Sequence, residues 1–132
     1  MKFLTLLLLF IFSYSINAKI VVVTNKNSDI NHLSKESIKY LYLAKVNKIN
    51  NIIIKPLLSK DDILHKKFIS EIIGKDIHQY SSYWARLVFT GRKAIPRRLS
   101  NQEIKTSLKE LNTIIYMRKE SLNTNYKIIY EQ

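Results

Sequence analysis

Apolar residues recur at helical spacing in several segments of the chain. One such segment has apolar side chains at positions i, i+3, i+7, i+10 and i+11, which are Ile77, Tyr80, Trp84, Leu87 and Val88. Thr90-Gly91 ends this pattern, because glycine adopts the left-handed conformation of a helix C-terminus at little steric cost. We therefore predict an amphipathic helix whose apolar face buries Trp84.

Three further helices are indicated by start and stop signals. Ser34 caps a segment that runs to about Ala44. Ser59 caps a second segment, which carries Asp61 and Asp62 in its first turn and ends at Gly74. Ser100 and Glu103 have the spacing of a capping box at the start of a helix from Asn101 to Leu111.

Short apolar runs between these segments predict strands. Four consecutive apolar residues after Lys19 suit a strand buried on both faces, as in a parallel sheet covered by helices. Pro56 places the end of the second strand near a sheet edge or a turn. The four predicted strands are Lys19–Thr24, Ile52–Leu57, Ile114–Met117 and the edge-like Tyr126–Tyr130. We predict an α/β fold with a central, mostly parallel sheet of about four strands and about four flanking helices.

The first eighteen residues have the pattern of a secretory signal peptide. Lys2 is followed by an apolar run from Phe3 to Phe12 and a more polar stretch that ends at Ala18. The run is shorter than the roughly 20 residues that span a bilayer, although an uncleaved N-terminal anchor is the alternative. We expect cleavage after Ala18, a periplasmic location, one domain over residues 19–132 and no stable membrane insertion of the mature product.

The composition narrows the class of partner. The net charge is +12 at pH 7, which favours anionic ligands, phospholipid surfaces, nucleic acid or an acidic protein. Lys, Ile and Asn are abundant throughout, so a general compositional bias explains the scattered lysines equally well. Arg92, Arg97 and Arg98 differ, because they lie in one predicted loop.

Catalytic and metal-binding patterns are absent from the sequence. The three histidines, His32, His65 and His78, are too far apart for usual zinc ligand spacing, and there is no cysteine. Asp61 and Asp62 are adjacent and so point to different helix faces. No nucleophile elbow or glycine-rich phosphate loop occurs. We predict a protein that is not an enzyme and that needs no metal or cofactor.

Two places could bind an anion or an acidic partner. Ser59 and Lys60 precede a predicted helix, whose free N–H groups attract anions, although the carboxylates of Asp61 and Asp62 oppose this. The other place is the basic loop, whose guanidinium and ammonium groups suit oxyanions and acidic side chains but are equally typical of a solvated turn. Its candidate residues are Arg92, Lys93, Arg97 and Arg98.

The order of several motifs resembles the phosphate-binding components of ABC importers, which have a type 2 periplasmic-binding-protein fold. The similar segments are Ile20–Asn25, the helix from Leu33-Ser34 to Ala44-Lys45, Ile53–Leu57, Phe68, Tyr83-Trp84, Phe89-Thr90-Gly91, Pro96 and Ile114–Met117. The resemblance implies one lobe of such a protein. At Ala44 the family usually has glycine.

The same resemblance also shows a departure at the ligand motif. Transport members hold phosphate with an Arg-x-Asp-x-Ser-Gly-Thr segment, whereas the corresponding residues 58–64 are Leu-Ser-Lys-Asp-Asp-Ile-Leu. The arginine and the Ser-Gly-Thr donors are missing. We therefore expect an exported, non-catalytic binding protein that binds phosphate or another small anion weakly. The alternative is a structural or adaptor protein of an envelope assembly, which uses the basic loop for an acidic protein partner. No nucleic-acid partner is expected.

Overall fold

The computed structural model describes residues 19–132, so the predicted signal peptide and its cleavage after Ala18 lie outside the described residues. The helices in this range are α1 Lys35–Tyr42, α2 Asp62–Phe68, α3 Ile77–Phe89 and α4 Asn101–Ser107; a π-helical turn, Ile69–Ile73, continues α2, and a 3₁₀ turn covers Lys119–Ser121. The strands are β1 Ile20–Asn25, β2 Lys48–Ile49, β3 Ile52–Ile53, β4 Lys55–Pro56, β5 Leu58–Ser59, β6 Arg98–Leu99, β7 Thr113–Arg118 and β8 Tyr126–Glu131.

A four-stranded sheet in the order β4-β7-β1-β8 forms the centre of the fold. β1 lies between β7 and β8 and pairs antiparallel with both, with Ile20 opposite Arg118 and Asn25 opposite Tyr126. Only β4 and β7 pair in parallel within this sheet. The predicted α/β class, strand number and helix number are confirmed, and β8 is an edge strand as expected.

The expectation of a mostly parallel sheet is wrong. An apolar run such as Val21–Val23 reports that a strand is buried on both faces, which it is here, but it does not report the direction of its neighbours. The predicted strand Ile52–Leu57 also divides into β3 and β4, and β5 begins directly after it. Asn50 and Asn51, both at positive φ, turn β2 into β3 as a hairpin, and Pro56 lies on the edge strand β4, where its missing N–H is tolerated.

The helix signals are largely confirmed. Ser34 caps α1, the Ser100–Glu103 capping box begins α4, and Gly74 ends the π-helical turn at a φ of 77°. Ser59 does not cap α2, because its backbone pairs with β6; the cap is Asp61, whose Oδ1 accepts a hydrogen bond from the N–H of Leu64 at 3.1 Å. No helix within residues 19–132 is long and apolar enough to cross a membrane.

Aromatic side chains join the helices to the sheet. Phe68 of α2 stacks on Tyr116 of β7 with ring centroids 3.9 Å apart, and Tyr42 of α1 meets the edge of Phe68 at 4.8 Å. All three rings are fully buried. Since α2 is anchored through Phe68, its first turn is held against the end of β7, where a polar cleft opens.

Candidate functional site

A cleft of about 230 Å³ opens between the start of α2, the face of β7 and α4. Its apolar lining is Leu64, Ile104 and Met117, and its polar lining is Ser59, Asp61, Asn101, Lys105, Tyr116, Arg118, Ser121, Asn123 and Tyr126. Two cations and several neutral donors therefore surround one carboxylate. Such a lining favours a small oxyanion over a cation.

Arg118 and Asp61 form an ion pair at one side of the cleft. The Nη2 of Arg118 lies 3.2 Å from Oδ2 of Asp61, and Nε lies 3.4 Å from the same oxygen. Burial would raise the pKa of Asp61, but the hydrogen bond from Leu64 N–H and the contacts with Arg118 outweigh it, so the pKa lies below its usual value. The carboxylate is thus charged at neutral pH and competes with any anion for Arg118.

The floor of the cleft is a buried hydrogen-bonded group. The N–H of Ser59 donates to the hydroxyl of Tyr116 at 2.8 Å, and that hydroxyl also hydrogen-bonds Nδ1 of His65. A hydroxyl that already accepts from Ser59 is best placed to donate to His65, which requires His65 to be neutral with its proton on Nε2. Burial raises the pKa of Tyr116 above its usual value, so the tyrosine stays protonated.

The environment of His65 also favours the neutral ring. Burial and, second, the positive charge of Arg98 lower its pKa from 6.5 to about 4, while the carboxylate of Asp62 opposes the shift. The imidazole is therefore uncharged at neutral pH. The ring supports the cleft floor through its hydrogen bond with Tyr116, and it offers no positive charge that would attract an anion.

Four of the six site residues predicted from the sequence lie together beside the cleft. Arg98 donates from Nε to the carbonyl of Ser59 at 2.8 Å and pairs with Asp62 at 2.7 Å. Glu103 accepts ion pairs from Arg97 and, at 3.7 Å, from Lys60. Of these four, only Ser59 lines the cleft, and both arginines are already paired with carboxylates.

The remaining two, Arg92 and Lys93, lie in the exposed loop after α3. No hydrogen bond or ion pair within residues 19–132 connects either side chain to Ser59, Lys60, Arg97 or Arg98. The basic loop is therefore split into a paired part at the cleft and an exposed part at the end of α3.

Arg118 and Lys105, which supply the cationic lining of the cleft, are not among the site residues predicted from the sequence. Arg118 is the one arginine outside the stretch from Arg86 to Arg98, and it ends a strand predicted as far as Met117. Its position at a strand end was the available signal. The neutral donors Asn101, Ser121 and Asn123 carried no signal, because they are ordinary loop and helix-start residues.

This arrangement can hold an oxyanion but offers little for catalysis or metal binding. Residues 19–132 contain no group of three or more metal-ligating His, Cys, Asp or Glu side chains. The hydroxyl of Tyr116 is held by Ser59 and His65, and Asp61 is engaged by Leu64 and Arg118. Donors in the lining that an oxyanion could use include Lys105 and the amide and hydroxyl groups of Asn101, Ser121 and Asn123.

Comparison with solved structures identifies the fold. The chain is similar to a protein of Clostridium perfringens assigned to the phosphate ABC transporter substrate-binding proteins and containing bound phosphate, with a TM-score of 0.63 and 18% identity over 84% of this chain and 44% of that one. It is also similar to an ABC-type phosphate transport receptor of Vibrio cholerae, with a TM-score of 0.50 and 14% identity over 84% of this chain and 45% of the receptor. No protein-family model and no curated protein matches the sequence. The described chain therefore has the fold of part of the phosphate-transporter binding proteins, as its motifs indicated, and spans less than half the length of these two.

Proposed function

We propose that the chain is a non-catalytic binding protein that holds phosphate or a similar small oxyanion weakly in the cleft. The observation that carries the proposal is the convergence of Arg118, Lys105 and neutral donors on one cleft. The fold supports it, because one protein of the same fold contains bound phosphate. Ser59 lies at the edge of this cleft, and Arg98 donates to its carbonyl. Lys60 and Arg97 lie next to this edge, where both pair with Glu103.

The binding is weak for a physical reason. Arg118 already contacts Asp61, so an incoming anion must share the guanidinium with a carboxylate. The sequence also lacks the Ser-Gly-Thr donors that close around phosphate in the transport members it resembles. Exposed charge contacts contribute about 0–1 kcal/mol each and are screened by salt. We expect a dissociation constant of about 0.1–1 mM at physiological ionic strength.

Isothermal titration with inorganic phosphate tests this proposal. Arg118→Gln and Lys105→Gln should each weaken binding several-fold, whereas Lys48→Gln should leave it unchanged, because Lys48 lies on the β2–β3 hairpin and lines no part of the cleft. Micromolar affinity that is insensitive to salt would instead indicate a closed, transport-type site. Absence of heat at ten times the expected dissociation constant would reject small-anion binding.

A second candidate function is that of an adaptor in an envelope assembly, favoured by the end of α3. Phe89 is 93% exposed, Val88 and Ile95 are also exposed, and Arg92 and Lys93 lie beside them. Apolar side chains flanked by cations fit an acidic protein partner with an apolar pocket. A photo-crosslinking residue at position 89 should capture such a partner in cells, and charge reversal of Arg92 and Lys93 should abolish the adduct. The same residue at Ile63, which is also exposed, is the control.

We further propose that the protein is exported to the periplasm after removal of residues 1–18. The support is the signal-peptide pattern of the sequence and the fold shared with transporter binding proteins. N-terminal sequencing of periplasmic material should begin at Lys19. Material that begins at Met1 and stays with the membrane would favour the uncleaved anchor.

A further inference from the structure

A second cavity adjoins the cleft and extends it. This cavity, of about 520 Å³, shares Lys105, Asn123 and Tyr126 with the cleft and continues past the end of α4 to the loop that follows β1. The two cavities form one groove, with α4 as one wall and the segment from Ser121 to Tyr126 as the other. We refer to the two cavities together as the groove.

Four cationic side chains are distributed along the groove. Arg118 lies at one end, Lys105 in the middle, and Lys109 and Lys26 at the other end. Lys26, Lys105 and Lys109 form no ion pair with any residue in the range 19–132. The one acidic side chain among those lining the groove is Asp61, beside Arg118.

The cations are too far apart for a single small anion to contact them all. Arg118 pairs with Ile20 across the sheet, and Lys26 follows Ile20 by six residues along β1 and its next turn. At the usual rise of a strand this places the two ends of the groove about 20 Å apart. Lys105 lies in the last turn of α4, and Lys109 lies in the turn two residues beyond its end. The groove thus presents positive charge at several points along its length.

The neutral polar side chains of the groove are amides and hydroxyls, which can donate hydrogen bonds to an anion. Oδ1 of Asn123 accepts from the N–H of Asn125 at 2.8 Å, so its amide N–H₂ group is the part of the side chain that can donate to a ligand. Oδ1 of Asn25 accepts from the N–H of Asn27 at 2.9 Å, and its Nδ2 donates to the carbonyl of Leu108. These two amide oxygens are therefore not available to a ligand that brings its own N–H groups, as a peptide does.

From these observations we propose that the groove binds a linear phosphate chain along its length. Such a chain carries acceptor oxygens and negative charge at every unit and has no donors to satisfy, which matches four spaced cations and the amide and hydroxyl donors of the lining. An acidic peptide matches the charge, but its backbone N–H groups meet two amide oxygens that are already engaged, those of Asn123 and Asn25. The inference deepens the proposed function, because Arg118 and Lys105 serve both ligands, whereas Lys26 and Lys109 serve only the longer one.

Titration of residues 19–132 with phosphate, tripolyphosphate, a longer linear polyphosphate and an oligo-aspartate of matched charge tests the proposal at one ionic strength. We expect the longer polyphosphate to bind at least about tenfold more tightly than phosphate. Lys109→Glu and Lys26→Glu should each weaken polyphosphate binding about fivefold and phosphate binding less than twofold. Lys48→Glu has the same change in net charge outside the groove and should alter neither affinity by more than about twofold.

The outcomes separate the two proposals. If phosphate binds and polyphosphate binds no more tightly, the extended groove is rejected while small-anion binding stands. If polyphosphate binds through Lys109 and Lys26 but phosphate gives no signal, the groove stands and the small-anion proposal fails. If Lys48→Glu and Lys109→Glu weaken polyphosphate binding equally, the ligand is attracted by the overall charge only and the groove is rejected. If oligo-aspartate binds as tightly as polyphosphate, an acidic peptide is the ligand and the phosphate-chain proposal is rejected.

Discussion

Trp84 stabilises the fold through both packing and a hydrogen bond. Its side chain is 2% exposed, as its place on the apolar face predicted, and Nε1 donates to the carbonyl of Tyr42 at 3.3 Å. The hydroxyl of Tyr80 donates to the same carbonyl at 3.1 Å. Two side chains of α3 therefore satisfy the carbonyl of Tyr42, the last residue of α1.

Replacing Trp84 with Ala should lower the free energy of unfolding by about 3–5 kcal/mol, the usual range for removing a buried large aromatic side chain. Phe89→Ala is the matched control, because Phe89 lies on the same helix and is 93% exposed. Its effect should stay within about 0.5 kcal/mol. Urea denaturation of both variants gives the comparison, and equal losses would mean that the C-terminal half of α3 is packed differently from the structure described above.

His65 makes the stability of the protein depend on pH. The folded chain holds this ring neutral until about pH 4, whereas the unfolded chain protonates it near its usual pKa of 6.5. Between these values the unfolded chain binds more protons, so the free energy of unfolding rises with pH. The contribution is complete above pH 6.5 and is lost as the pH falls towards 4.

We expect the free energy of unfolding to fall by about 2 kcal/mol between pH 7 and pH 5 because of His65. The pKa values of Asp61, Glu103 and Glu131 are lowered in the folded chain, so protonation of these carboxyls also lowers the free energy of unfolding. This loss begins only as the pH falls below the usual pKa of a carboxyl, outside the interval from pH 7 to pH 5. In the variant His65→Gln the slope between pH 7 and pH 5 should nearly disappear. An unchanged slope in urea titrations of this variant would assign the pH dependence to another group.

At the scale of elements, the end of α1 shows a local conflict between sequence and conformation. The N–H of Lys45 donates to the carbonyl of Tyr40, and the N–H of Ala44 donates to that of Leu41, which is the Schellman pattern of a helix end. This pattern places Ala44 at a φ of 55°, where a β-carbon is unfavourable. The family that the sequence resembles usually has glycine here.

Ala44→Gly should therefore stabilise the protein by about 0.5–1 kcal/mol, since the relief of the left-handed strain exceeds the added entropy of the unfolded glycine. The same substitution at Ala85, an exposed position within α3, should destabilise by about 1 kcal/mol. Thermal and urea unfolding of the two variants should give shifts of opposite sign. Shifts of the same sign would contradict the left-handed conformation at Ala44.

The helices were predictable because their signals are local. Ser34, Gly74, Gly91 and the Ser100–Glu103 box act within one turn of the residues that they cap, so the sequence contains the whole interaction. Strand direction was not predictable, since β1 has the same apolar run whether its neighbours are parallel or antiparallel. The sheet order places β1 between two strands from the other end of the chain.

The site was predictable only in part for a related reason. The charge of Arg98 was visible in the sequence, but its partners Asp62 and Ser59 lie 36 and 39 residues away and meet it only through the β5–β6 pairing. The same holds for Arg118, which meets Asp61 across 57 residues. Pairing of this kind decides which cations are free to bind a ligand.

At the scale of the whole molecule, positive charge is abundant and carboxylates determine where it is available. The chain carries 22 Lys and Arg residues against 10 Asp and Glu residues. Carboxylates pair with Lys60, Arg97, Arg98, Arg118 and Lys119. An anion is attracted by the general field, but it is retained where unpaired cations converge, and in the cleft that depends on Asp61.

Asp61→Asn should therefore strengthen phosphate binding about three- to tenfold, because it releases Arg118 and removes the one negative charge from the lining of the cleft. Asparagine still caps α2, so the helix start should persist. Glu36→Gln adds the same unit of net charge on α1, away from the cleft, and should change the affinity less than about twofold. Both effects are measured by titration calorimetry at low and high salt, where the gain from Asp61→Asn should shrink with screening. Equal gains in the two variants would assign binding to the overall charge, and a loss in Asp61→Asn would mean that the carboxylate itself accepts a hydrogen bond from the bound phosphate.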